Sequence, residues 1–158
     1  MINRQALADE LNQLLATETR SLARHLEESP PYVTPATYRI WQSLRSLAAQ
    51  SRAHAQRLSE LLSTLELSER PLPFSSDVAR FHYTALEVLL PELIREKNRQ
   101  INAYQRALEH AHGDALVESG LSSLLEENRQ QLRQLTEALS SIVTGSSHSQ
   151  PALSNTVS

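Results

Sequence analysis

Six polar residues sit where the hydrophobic pattern of this 158-residue chain calls for apolar ones: Glu18, Ser51, His54, Lys97, Asn128 and Gln131. Glu18 is a carboxylate at the centre of the stripe Leu7, Leu11, Leu14, Leu22 and His25. Lys97 occupies the middle of the seam Leu86, Leu90, Leu93, Ile101, Tyr104 and Leu108. Ser51, His54 and Asn128 lie on or beside comparable seams, and Gln131 follows Asn128 at the spacing that separates His54 from Ser51. A carboxylate and an imidazole are ligand types for a divalent metal. A carboxylate and an ammonium can instead form a buried ion pair, which is stable only if its remaining hydrogen bonds are satisfied.

Other candidates are weaker. Glu92, Glu96, Glu126 and Glu127 read most simply as a solvated helix face. His25 and Tyr104 read as core-boundary residues that could flank a small cavity. Phe81, His82 and Tyr83 with Trp41 form a possible aromatic patch, and His110 and His112 an exposed pair at a helix end. The chain has no Cys, so it holds no disulfide, thiolate metal site or thiol nucleophile. Only 3 Gly are present, too few for a phosphate-cradling loop, and no Ser-His-Asp order is seen. No catalytic residue is assigned. A net charge of -3 leaves no basic footprint for nucleic acid.

The elements that must position these residues are helical. Leu, Glu, Gln, Arg and Ala dominate, and aromatic residues make up 4%. Periodicity predicts helix 1 over 3–28, ended by Ser29-Pro30-Pro31. Helix 2 runs from Thr34-Pro35, a cap followed by proline in the first turn, to about Leu65. A long connection through Pro71 and Pro73 precedes helix 3, which starts near Ser76-Asp77, is kinked or divided at Pro91, and reaches about Ala111. Helix 4 covers about 115–143 and ends at Gly145. Residues 1–144 thus form one bundle, and the Ser-rich segment 145–158 reads as a disordered tail. No apolar run approaches the roughly 20 residues of a membrane span, and no signal peptide is recognised, so the chain reads as a soluble cytoplasmic protein with no membrane partner.

The chain also repeats itself. Leu44, Ser46, Leu47, Arg52, Leu58, Glu60 and Leu62 meet identical residues at an offset of 77. Leu7, Leu11, Leu14, Leu15 and Leu22 meet Leu86, Leu90, Leu93, Ile94 and Ile101 at an offset of 79. Two nearly equal offsets imply a duplicated helical hairpin with one long crossover, an antiparallel four-helix bundle. The same alignment pairs Glu18 with Lys97, Ser51 with Asn128 and His54 with Gln131, placing all six at one level.

A duplicated hairpin with a central Glu in the first helix resembles the ferritin-like superfamily. Leu11-Asn12-Gln13-Leu14-Leu15-Ala16-Thr17-Glu18 is similar to the family's first ligand segment. Ser51-Arg52-Ala53-His54 is similar to its Glu-x-x-His, with Ser replacing Glu. Lys97 matches the second central Glu, and Asn128-Arg129-Gln130-Gln131 the second Glu-x-x-His. Of the six ligand positions the resemblance implies, only Glu18 and His54 keep a ligand type. A lysine ammonium would repel a metal, so a di-iron cofactor and oxygen chemistry are not expected. The reading is a non-enzymatic bundle in which Glu18 pairs with Lys97, and the other four complete a hydrogen-bonded layer. Its role would then be structural or partner-binding, as a homodimer by resemblance or with an unidentified protein. One alternative rotates a helix so that Glu18, His54, Glu96 and Glu126 hold one iron or other divalent ion in an iron-handling or redox protein. A second is a small-molecule carrier using the inter-helix space around His25, His54 and Tyr104, with a pocket between helices 1 and 2 beside His54.

Overall fold

A computed structural model of the chain describes residues 3–71 and 84–146. Among them it is all-helical, with helices α1 (Arg4–Thr19), α2 (Leu22–Glu28), α3 (Tyr38–Leu44), α4 (Ser46–Thr64), α5 (Leu86–His110) and α6 (Ala115–Ser146). The nearest approach to a sheet among the described residues is an isolated parallel bridge between Tyr32 and Ala85. The proposed start of helix 3 at Ser76-Asp77, the aromatic run 81–83 and most of the tail lie outside the described residues.

Helix 1 is not continuous over 3–28. Asn3 caps α1 by accepting a hydrogen bond from the Ala6 amide at 3.1 Å, and the helix stops at Thr19. Ser21 then caps α2, its hydroxyl accepting from the Arg24 amide at 3.4 Å. The Arg24 guanidinium donates to the Thr19 carbonyl at 2.7 Å, which satisfies an acceptor freed by the break. No proline or glycine marks the site. The interruption is made by a serine that serves as a cap rather than as an interior residue.

Helix 2 begins with the Thr34-Pro35 turn. The Thr34 carbonyl accepts from the Tyr38 amide at 3.0 Å, and the Thr37 hydroxyl accepts from the Thr34 amide at 2.9 Å. A second interruption at Arg45 separates α3 from α4, though Arg45 keeps helical dihedrals. Pro91 lies inside α5, which remains one helix. The Tyr32 segment anchors the start of α5: Tyr32 donates to the Thr84 carbonyl at 3.0 Å, and the Leu86 amide donates to the Tyr32 carbonyl at 3.2 Å.

The turn between α5 and α6 needs Gly113, whose φ of 103° is costly for any residue with a Cβ. Asp114 caps α6, accepting from the Leu116 and Val117 amides at 3.1 Å. α6 runs through Gly145 to Ser146 instead of stopping before the glycine. α5 and α6 make the most extensive helix contact, α1 packs on α4 and α5, and α4 meets α6 over a shorter stretch. Gly120 permits that approach, because a Cβ there would stand 3.3 Å from Leu61 Cδ2.

The core is in two parts. One contains Leu7, Leu11, Leu14, Leu58, Leu62, Ile101, Leu121 and Leu124. The other contains Leu22, Leu26, Leu44, Leu47, Leu86, Leu90, Leu93 and Leu135. On every long helix the residues between the two parts are polar: Glu18, Ser51 with His54, Lys97 with Gln100, and Asn128 with Gln131.

Candidate functional site

All six sequence-selected residues are buried, from 0% exposed at Glu18 and Asn128 to 6% at Lys97. Burial at this level demands partners for each polar group. Each helix supplies them differently.

From α1, Glu18 Oε1 accepts a hydrogen bond from the Tyr104 hydroxyl at 2.9 Å. His54 Nδ1 lies 3.4 Å from the same oxygen without the alignment of a hydrogen bond. On the other side of the ring, His54 Nε2 meets Glu127 Oε2 at 2.8 Å. Glu127 in turn accepts twice from Arg57 Nη1, at 2.8 and 3.0 Å, and Arg57 Nη2 donates to Ser123 Oγ at 3.0 Å. The imidazole therefore links a buried carboxylate to one at the surface.

From α5, Lys97 Nζ donates to Gln100 Oε1 at 2.6 Å and to Asn128 Oδ1 at 2.8 Å. Asn128 completes its own set by donating to the Leu124 carbonyl at 2.8 Å. The expected direct pair between Glu18 and Lys97 is thus not formed. Amide oxygens hold the ammonium, while tyrosine and histidine hold the carboxylate. The two charges act on each other through the low-dielectric layer. Ser51 Oγ accepts from Ser21 Oγ at 3.2 Å, and Gln131 Nε2 donates to Gln50 Oε1. Glu18 Oε2, Gln100 Nε2 and Gln131 Oε1 have no aligned protein partner.

The electrostatics follow from burial opposed by neighbours. Burial pushes the Glu18 carboxyl up, but His54, the Lys97 charge and the Tyr104 hydroxyl outweigh it and hold Glu18 below the usual carboxylate range. Burial pulls the Lys97 ammonium below the usual lysine range, against Glu18 and Glu96. Burial, with the charge and hydrogen bond of Glu18, raises the Tyr104 phenol well above its ordinary value. Glu96 is half-buried, and both its oxygens accept from the Leu22 amide, at 3.0 and 3.1 Å. Burial pushes it up to about 7, with the Glu18 charge adding and the Leu22 amide, Lys97 and Arg99 opposing.

These residues do not make a ligand set. Glu126 is exposed and pairs with Arg133 at 3.1 Å, with Arg129 4.0 Å away. Glu96 is turned to the start of α2. Glu18 and Glu127 lie against opposite nitrogens of His54, so the three cannot converge on one ion. Among the described residues no group of three or more His, Asp and Glu is placed to hold a metal. The four residues of the single-metal alternative are therefore not brought together.

Sequence reasoning missed Glu127, Arg57, Gln50, Gln100 and Ser21. Gln100 was legible in principle, since it follows Lys97 by three residues on one helix face. Glu127 was missed because it is half-exposed at the edge of the α6 stripe, from which its long side chain reaches His54. Beside His54 a groove of about 460 Å³ opens between α4 and α6, with Gln50, Arg57, Glu127, Gln130 and Gln134 on its walls. It does not lie between helices 1 and 2. His25 is half-buried, and His112 Nδ1 stands 3.1 Å from Glu118 Oε1 at the α5–α6 turn. No helix among the described residues is long and apolar enough to cross a membrane.

No protein-family model, curated protein or solved structure matches this chain.

Proposed function

We propose that the chain is a ferritin-like four-helix bundle in which a polar, charge-bearing layer stands where the family holds its two metals. Its role is non-catalytic, either structural or partner-binding. The observation that carries this reading is the Lys97 ammonium, buried between Gln100 and Asn128 in the layer that also contains Glu18 and His54. A fixed cation held by two amide oxygens does electrostatically what a metal would do beside Glu18, and excludes the metal by repulsion.

Two further features support the bundle topology. The two core parts are met in one order along α1 to α2 and along α6, and in the opposite order along α4 and α5, the pattern of antiparallel neighbours joined by one crossover. The polar residues of the two repeat halves also fall in one layer. A homodimer or another protein is the corresponding partner.

The test is metal content. Protein dialysed against Fe²⁺, Mn²⁺ or Zn²⁺ and then freed of excess ion is expected to retain far less than one ion per chain. Stoichiometric metal that disappears in His54→Ala would overturn the reading. Sedimentation equilibrium of the same sample checks the dimer.

A further inference from the structure

The two interruptions that the sequence pattern did not show, at Arg20–Ser21 and at Arg45, border one feature. Where α2, α3 and the start of α4 diverge, they leave a cleft of about 420 Å³, a size within the roughly 300–1,000 Å³ of small-molecule sites. It shares no residue with the polar layer.

Its floor is apolar. Leu26, Leu44, Leu47, Ala48 and Leu93 line it and are each at most 4% exposed, and Trp41 forms part of the wall. The polar groups at its edge are few and unequal. Glu27 carries a negative charge, but Arg52 holds it through both guanidinium nitrogens, one at 3.0 Å. Arg45 is exposed and makes no side-chain hydrogen bond or ion pair among the described residues. Ser46 lines the same edge. Its oxygen accepts from Gln50 Nε2 at 3.3 Å, which leaves its O–H free to donate.

The edge therefore offers two sets of donors, one of them a full positive charge, with its acidic residue already neutralised. A guanidinium fork matches a carboxylate in shape as well as charge. An apolar floor takes the body of the same molecule. A ligand cation would be repelled by the Arg45 charge, and a neutral apolar molecule would leave the Arg45 donors to water.

We propose that this cleft binds a small amphipathic carboxylate, with its hydrocarbon tail among Leu26, Trp41, Leu44 and Leu93 and its head group on Arg45 and Ser46. The proposal is independent of the reading of the polar layer, and either can fail without the other.

Trp41 is the single tryptophan of the chain, so its fluorescence reports the cleft directly. Titration with decanoate is expected to give a saturable change in Trp41 emission at one molecule per chain. Decanol should bind more weakly, and decyltrimethylammonium should not bind. Arg45→Gln, an exposed substitution, should weaken decanoate about tenfold while leaving decanol unchanged. Ala23→Phe, which fills the cleft from α2, should abolish both, with circular dichroism confirming helix content. The carboxylate assignment is overturned by equal binding of decanoate and decanol, or by unchanged decanoate affinity in Arg45→Gln. The site is overturned by absence of any Trp41 response, or by full binding in a folded Ala23→Phe.

Discussion

Lys97 is the residue on which the interior turns. It is a cation in the middle of an apolar seam, held by two amide oxygens and close enough to Glu18 to lower that group's pKa. Lys97→Met would leave the Glu18 charge buried with only Tyr104 and His54 beside it. Removing one partner of a buried charge pair costs roughly 3–5 kcal/mol, and the retained partners place this case near the lower end. Urea denaturation at pH 7 should show that loss, and an unchanged midpoint would reject the role given to Lys97. Glu96 makes a second residue-level prediction, with a defined sign. Its carboxyl is raised in the fold to about 7 from an ordinary 4.5, so its contribution is fully present below about pH 4.5 and is lost as pH rises through 7. Glu96→Gln keeps an acceptor for the Leu22 amide but cannot ionise. It should match the parent at pH 4 and exceed it in stability at pH 8, measured by urea midpoints. Glu18 carries the opposite sign, with stability present above its unfolded value and lost as pH falls below it. The positions of these residues were legible in the sequence because polar residues interrupt leucine stripes. Their bonds were not, because long side chains choose partners by rotamer and distance. Glu127 reaches inward from a surface position, and Glu18 takes tyrosine and histidine instead of lysine.

At the level of elements, Pro30, Pro35 and Gly113 marked boundaries, whereas Pro91 and Gly145 lie inside helices and Ser21 marked a break the pattern did not show. The ends of helices 1 and 2 near Pro30 and Pro35 and the Gly113 turn stand close to where the pattern placed them. The break at Arg20–Ser21 was hidden because its residues fit a helix interior in size and polarity. Ser21 acts there in two ways, capping α2 and donating to Ser51. Ser21→Ala should therefore cost about 1 kcal/mol, the usual value of a lost N-cap. Hydrogen exchange is the sharper measurement. Amides of residues 24–28 should exchange faster while those of α1 stay protected, and uniform exchange across both helices would show that the break is not set by Ser21.

For the molecule as a whole, a polar layer divides the core into two leucine-rich parts, and every long helix contributes to it. The repeat makes this layer readable in the sequence, since it aligns Glu18 with Lys97, Ser51 with Asn128 and His54 with Gln131. The cleft at α2 and α3 was not readable, because it depends on two helix interruptions that carry no strong signal. The central claim is that the layer carries its own cation and needs no metal. Any ion that binds the folded chain alone must raise its stability by RT ln(1 + [L]/Kd). The direct measurement is the thermal unfolding midpoint at pH 7 across a series of Zn²⁺ and Mn²⁺ concentrations, against the same protein in chelator. With Lys97 in place of a metal, the midpoint should not move. A midpoint that climbs with the logarithm of metal concentration, and stops climbing in His54→Ala, would contradict it.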